Sequence, residues 1–456
     1  MRANGPVSGL KIDQRGSMLV FFIVALPMLV GAVGFAIDLV RAQTLQTELQ
    51  RVADAAALAA AHELNFEGDS LARARAVALA MPNRPRMAAS AAGAQILEPQ
   101  FYASINPDIE TSDPQAVRYV RVRTVLRTSS AWFIKIVGGT DASVDAEAWA
   151  ESRIQACGAA PLFFCVNKGF NPAKGTQVLL KYTGSYGPGN FGLLDPQGVS
   201  SGVGAKLITQ NLAAQTPSFC YTGTHTVRTG QVAGPVISGI GVRFDMYPTD
   251  NSSTSQYLRS LPPAPAVLKG KVSGGSNNSN QACTFSDSTQ AARMPRDGCI
   301  VNGACWQGNG DWQTGPEGAD YFSKNWGALR PPNWPSTTRF ETYLWELQIT
   351  EETQTPNLRA KPADATSPEI AAPACYNFVG SGGPPNNARR RVLNVAVVDC
   401  ETNVLTGNST PPLSIMRIAR FFLTEPASGT GDIYAEFIEQ AAPGDGGIQH
   451  LVQLVR

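Results

Sequence analysis

The chain has 456 residues, enough for two or three domains with cores of their own. Its 37 Lys and Arg nearly balance 36 Asp and Glu, so the net charge near +1 gives no electrostatic case for nucleic acid as a partner. With 43 Gly, 32 Pro and only 16% charged residues the chain is loop-rich and β-leaning, increasingly so after about residue 155.

In chain order, the first element is an apolar run. Met18 to Ile37 carries no charge, and at helical rise its 20 residues span about 30 Å, one hydrocarbon core. Pro27 within it is tolerable in a membrane helix. Arg2, Lys11 and Arg15 precede the run, while Arg41 and Arg51 follow among acidic residues, which favours an N-terminus on the cytoplasmic side. The rival is a cleaved signal peptide, with Gly34, Phe35 and Ala36 before the cut. The run is longer than a signal's apolar region and its helical pattern continues past that point, so a retained anchor is expected. Residues 1–17 then form a cytoplasmic tail and 18–40 a transmembrane helix.

Beyond the span, Leu39, Leu45, Leu49, Val52, Ala56 and Ala59 recur at steps of mostly three and four residues and lead into the Ala-rich stretch RVADAAALAAAHELN. Small side chains permit close approach of another backbone. Periodicity leaves two readings: a cover for the following domain, or a stalk that packs against a helix of another chain. A stalk leaving a bilayer exposes this stripe until something covers it, which favours partner packing at Leu45, Leu49, Val52, Ala56 and Ala59.

Residues 15–64, RGSMLVFFIVALPMLVGAVGFAIDLVRAQTLQTELQRVADAAALAAAHEL, resemble the N-terminal segment of TadG-like proteins of the Tad (tight adherence, Flp) pilus assembly family. The marks are an RG before the run, a Pro inside it, the acidic residue of AIDL and the DAAALAAA stretch. YGPGNFGLLD, VRTG, VRFDMY, RRRVLNVAVVDC, RFFLTEP and IYAEFIEQ extend the likeness to longer Tad-domain proteins. The resemblance implies a bacterial inner-membrane protein, single pass, with most of the chain periplasmic, accessory to building or anchoring an adhesive pilus. It implies contacts with other pilus components, while the exposed stripe makes a second copy of the stalk a further expected partner. Ser17 to Phe21 after Gly16 lack the Glu that accompanies prepilin-peptidase processing in related members. Some relatives carry a metal-binding von Willebrand factor A domain. Asp250, Ser252 and Thr254 approximate its D-x-S-x-S turn, and Asp399 follows an apolar strand, but neither has the full context, so no metal is expected.

The next elements are a short helix over Leu71–Met81, strands over 96–103 and 117–126, a short helix in SSAWFIKIVGG (129–139) and a strand from Ser143 to Ile154. Residues 41–155 thus read as stalk plus a pilin-like α/β module. From 156 to 456 short apolar runs such as QVLLKY, VRFDMY, YLWELQI, VLNVAVV and RIARFFL alternate with Gly/Pro/Asn-rich connectors, suiting an irregular, mainly β periplasmic domain. The fold class is therefore α+β.

All eight cysteines follow residue 150, an even set that reads as disulfides if the domain is exported. Cys157 with Cys165, and Cys375 with Cys400, are the expected pairs. Two of Cys283, Cys299 and Cys305 form another, leaving the third for Cys220. Three histidines, His62, His225 and His450, and the absence of HExxH, G-x-S-x-G or a phosphate loop leave no catalytic residues, cofactor or small-molecule substrate to expect. Glu351 and Glu352 read as solvated surface, and Arg389–Arg391 as charges flanking an apolar strand. The alternative function is an adhesin or glycan-binding module that uses Trp312 and Trp326 of the Trp-rich loop 308–335 as stacking platforms.

Overall fold

The computed structural model describes residues 15–65, 68–81, 94–114, 116–166, 172–181, 191–194, 204–222, 224–225, 227–228, 233–248, 250, 252–267, 271–272, 283–284, 294–366, 387–399, 413–427, 431–441 and 448–455. The protein is α+β and divides into two compact units, Met1–Ser152 with Val452–Arg456, and Arg153–Leu451.

The first unit begins with helix α1, Arg15–His62, 48 residues running through Pro27. After a tight corner comes α2, Ser70–Ala80, close to the expected Leu71–Met81. Strands β1 (Gln100–Ile105), β2 (Asp108–Glu110) and β3 (Tyr119–Arg123) follow, then a small hairpin of β4 (Arg127–Ser129) and β5 (Ala142–Val144). The long β6, Glu147–Cys157, carries the chain into the second unit. β3 lies antiparallel between β1 and the first half of β6, and β1 also pairs with β2. The chain's last residues return to this unit, with Val455 N–H donating to Trp149 O at 2.9 Å and Gln453 Nε2 to Glu151 Oε2 at 3.0 Å.

The core of this unit answers the stalk question. Leu45, Leu49 and Ala56 are fully or almost fully buried, in one cluster with Leu71 and Ala74 of α2 and Phe101, Val120 and Ala148 of the sheet. The expected partner-helix surface is thereby corrected at these three positions: the stripe is covered by its own unit. Val52 and Ala59 are half-buried at its edge. Alanines serve here because a second helix and a sheet press on the same side of α1, and a larger side chain has nowhere to go in a close-packed interior. Ala56→Trp should therefore lower the melting temperature of the full chain in detergent, at a cost of about 1–3 kcal/mol from overpacking. Unchanged melting together with failed assembly would return Ala56 to a partner interface.

The second unit is built on a sheet ordered β12-β9-β7-β15-β16-β17-β8. Its strands are β7 (Leu162–Val166), β8 (Gln177–Lys181), β9 (Phe191–Leu194), β12 (Val227–Arg228), β15 (Val392–Asp399), β16 (Leu413–Leu423) and β17 (Ile433–Gln440). The short β10 (Cys220–Thr222), β11 (Thr224–His225), β13 (Lys271–Val272) and β14 (Cys283–Thr284) lie outside this path. β7 and β15 run parallel and the other neighbours in the path antiparallel. Both faces of the central strands are covered, so LFFCV and VLNVAVV are almost continuously apolar. Alternation still assigns each residue a side: Phe164, Val395 and Val397 face one cluster, Phe163, Ala396 and Val398 the other. Helices α3 (Gly204–Ala213) and α4 (Ala233–Gly241) supply Ile208, Leu212, Val236 and Ile240 to the first.

Two runs read as strands are helical. VRFDMY enters a 3-10 turn at Val242–Phe244, and YLWELQI lies across the end of α8, Arg339–Glu346. The missed signal was the capping box: Thr338 Oγ1 accepts from Glu341 N–H at 3.1 Å while Glu341 Oε2 accepts from Thr338 N–H at 3.0 Å. α5 (Ser253–Arg259), α6 (Gly298–Val301) and α7 (Pro316–Trp326) complete the helices, the last with Pro at its first position.

Arg339 at the start of α8 is fully buried, with Nη2 2.6 Å from Asp297 Oδ1, Nη1 3.4 Å from Glu436 Oε2 and Nε donating to Pro295 O at 2.9 Å. Glu436 on β17 in turn accepts from the backbone N–H groups of Arg339 and Phe340, each at 2.9 Å. A carboxylate at a helix N-terminus satisfies donors that the helix leaves unpaired. Arg390 and Arg391 are likewise buried, not solvated flanking charges: Arg391 donates to the carbonyls of Leu423 and Thr424 at 3.0 Å, and Arg390 Nη1 to Ala213 O at 2.5 Å.

The disulfides differ from the expected set. Cys157 is bonded to Cys220, not to Cys165. The two are register partners on antiparallel β6 and β10, whereas Cys165 stands on β7 and belongs to another bridge. Cys299–Cys305 is present as one of the two-of-three pairs. The Cys375–Cys400 pairing lies outside the described residues.

Candidate functional surface

Two places were singled out by the sequence, the membrane helix with its stripe and the Trp-rich loop. In the first, Phe21, Phe22, Ile23, Leu26, Leu29 and Val33 are all exposed. Residues 21–62 belong to a helix long and apolar enough to cross a membrane, the only such helix among the described residues. Where the apolar run ends, its face changes character. Gly34 and Asp38, one turn apart, are buried. The Asp38 carboxylate accepts three backbone N–H groups, Oδ1 from Trp132 at 3.0 Å and Oδ2 from Phe133 and Ile134 at 2.8 Å each. The Phe133 ring lies on Gly34 so closely that a Cβ there would stand 2.5 Å from its Cγ. Arg41, the next turn on, places its guanidinium 4.0 Å from the centre of the Trp132 ring.

The segment so held is the one expected to be a short helix. It is a 3-10 turn, Ile134–Val137, closed by Gly138 at φ 82°, a conformation that glycine adopts without strain. Asp141 accepts from Ala131 N–H at 2.9 Å and pairs with Lys135 Nζ at 2.7 Å. Residues 34, 38 and 41 continue the stripe of 45, 49, 52, 56 and 59 at the same spacing. Sequence reasoning missed Gly34 and Asp38 because it ended the stripe at the edge of the apolar run. An acidic residue in phase with a buried stripe was the available signal.

The second place does not present a platform. Trp312 and Trp326 are buried with Phe322, Tyr343 and Leu347. Trp312 is stacked on Phe322 and edge-on to Trp334, and Trp326 edge-on to Trp345. The expected sugar-stacking role of Trp312 and Trp326 is therefore corrected: their faces are spent on core packing. Beneath them Glu346 is buried, accepting from Tyr321 Oη and, at 3.0 Å, from Trp326 Nε1. Burial pushes its carboxyl up from 4.5 to about 7. A raised folded pKa means that the folded state keeps a proton which the unfolded chain releases above pH 4.5. This group's contribution is full below that pH, declines by roughly 3 kcal/mol as pH rises to 7, and is constant above. Glu346→Gln, which mimics the protonated form, should gain melting temperature relative to the parent between pH 5 and 8. A gap between the two that stays constant over this range would show that Glu346 is ionised throughout.

Of the remaining candidates, Asp250 accepts from Ser252 N–H and Ser255 Oγ at 2.8 Å each, and Ser252 caps α5. That is a helix start. Glu351 is exposed, while Glu352 is ion-paired with Arg420. Among the described residues no group of three or more His, Cys, Asp or Glu is placed to hold a metal.

Among the described residues one helix is long and apolar enough to cross a membrane, it lies near the N-terminus, and the second of the two compact units is disulfide-bonded, an arrangement that fits a single-pass membrane protein. Residues 16–63 match the Tad family model, described as "Putative Flp pilus-assembly TadE/G-like". No curated protein and no solved structure gave a match. The matched segment comprises the apolar run, Gly34, Asp38 and the alanine stripe, so it covers both the apolar helix and its packing within the first unit. The later stretches likened above to longer Tad-domain proteins lie outside the match.

Proposed function

We propose that this protein is a non-catalytic component of Tad (Flp) pilus assembly, anchored in the bacterial inner membrane with its N-terminus cytoplasmic and both folded units in the periplasm. The observation that carries the proposal is the Tad match at 16–63, which coincides with the apolar helix and its packed continuation. The Cys157–Cys220 and Cys299–Cys305 bridges support an oxidising compartment. The protein acts through contacts with other pilus-assembly components.

The test is to solubilise the tagged full chain from membranes of a pilus-forming cell and analyse what accompanies it. Retention in the carbonate-washed membrane and enrichment of other Tad components are expected. A chain released by carbonate, or recovered without any pilus component, would sink the reading.

A further inference from the structure

We infer that the segment 131–138, which contains the 3-10 turn Ile134–Val137, is a second membrane contact, dipping beside α1 into the leaflet on the side of the folded units; the inference rests on the span assignment above. Trp132 is 62% exposed and Ile136 80% exposed, on a turn otherwise tied to α1. Their height is set by Phe133, which packs on Gly34. Gly34 lies three residues inside the last apolar turn, about 4–5 Å at helical rise. Leu39 and Val40 remain exposed still farther along, so the apolar surface of α1 extends past the level of the turn. The ring of Phe133 therefore sits at hydrocarbon depth, and Trp132 and Ile136 sit beside it.

Irregular backbone is tolerated at such depth only when its polar groups are satisfied. Here seven of the backbone N–H groups between Ala131 and Gly139 have partners. Ala131 N–H goes to Asp141, and Trp132, Phe133 and Ile134 N–H go to Asp38. Ile136 N–H reaches Phe133 O at 3.0 Å, Gly138 N–H Lys135 O at 3.1 Å and Gly139 N–H Ile134 O at 2.9 Å. Asp38 is in turn relieved of being a bare charge at the membrane edge. Trp132 under Arg41 and Lys135 beside Asp141 give the mixture of aromatic ring and long cations that settles at a lipid headgroup boundary. The occupant of this surface is phospholipid.

Three single replacements by the photoreactive p-benzoylphenylalanine, at Val33, Ile136 and Ile109, test it in the full chain reconstituted into phosphatidylethanolamine/phosphatidylglycerol vesicles. Val33 lies in the span, and Ile109 is an exposed apolar residue of the same folded unit. After illumination, lipid adducts at 136 should approach those at 33 and exceed those at 109 by about tenfold, the contrast between an interfacial and an aqueous position. Asp38→Ala should reduce labelling at 136 several-fold and leave 33 unchanged. Labelling at 136 no greater than at 109, with 33 labelled, or an adduct at 136 to protein in place of lipid, overturns the inference and spares the span. Failure at both 33 and 136 removes the span and the inference together.

Discussion

Arg339→Met is expected to destabilise the second unit by about 3–5 kcal/mol, the range for removing one member of a buried ion pair. The guanidinium is 0% exposed, and Asp297 and Glu436 face it from the chain before α6 and from β17. Burial already raises the Glu436 carboxyl and Arg339 opposes that rise. Without the arginine, Glu436 must ionise alone or take up a proton, while still holding the first N–H groups of α8. Adding Glu436→Gln to Arg339→Met should recover part of the loss, because the amide oxygen keeps one acceptor and only Asp297 is left facing the lost arginine. Chemical unfolding of the two variants and the parent measures this coupling. A single variant as stable as the parent would mean that the cluster is solvated and not part of the core.

Opening the Cys157–Cys220 bridge is the other large effect. The bonded residues are 63 apart in sequence, and in the chain-entropy model a loop of that length is worth about 4 kcal/mol. The paired Cys157→Ser, Cys220→Ser variant should lose an amount of this order in denaturant unfolding. The same exchange at Cys299 and Cys305, only six residues apart, should cost clearly less, roughly 2 kcal/mol by the same model. Equal losses at both sites would show that local strand pairing, not chain closure, is what the first bridge stabilises.

The elements legible in the sequence were those with a period and a boundary. The apolar run, the alanine helix, the short helix after it and the strands VLNVAVV and RIARFFL all declare themselves locally. The apolar stripe was legible too, but its partner was not: periodicity shows that Leu45, Leu49 and Ala56 are covered, not what covers them. Coverage by α2 and the sheet depends on how a corner at 62–70 turns the chain back, which no helical pattern encodes. YLWELQI looks like a strand because its aromatic and β-prone residues outweigh a capping box that lies outside the run. Nearness along the chain points Cys157 to Cys165, whereas strand register brings Cys220 opposite it. Asp38 was noticed as part of a family spelling, yet its role depends on a turn some 95 residues away.

The proposed role, pilus assembly from the membrane through the segment 16–63, has a direct readout at the cell surface. The most direct measurement is the number of pili per cell, counted by electron microscopy, in a deletion strain carrying one of two genes. One encodes the full chain, and the other a chain whose residues 1–40 are replaced by a cleavable export signal, both expressed to equal protein levels. A bald deletion strain is expected, with pili restored by the full chain and none restored by the unanchored one. Wild-type pili in the deletion strain, or full restoration by the unanchored chain, would contradict it.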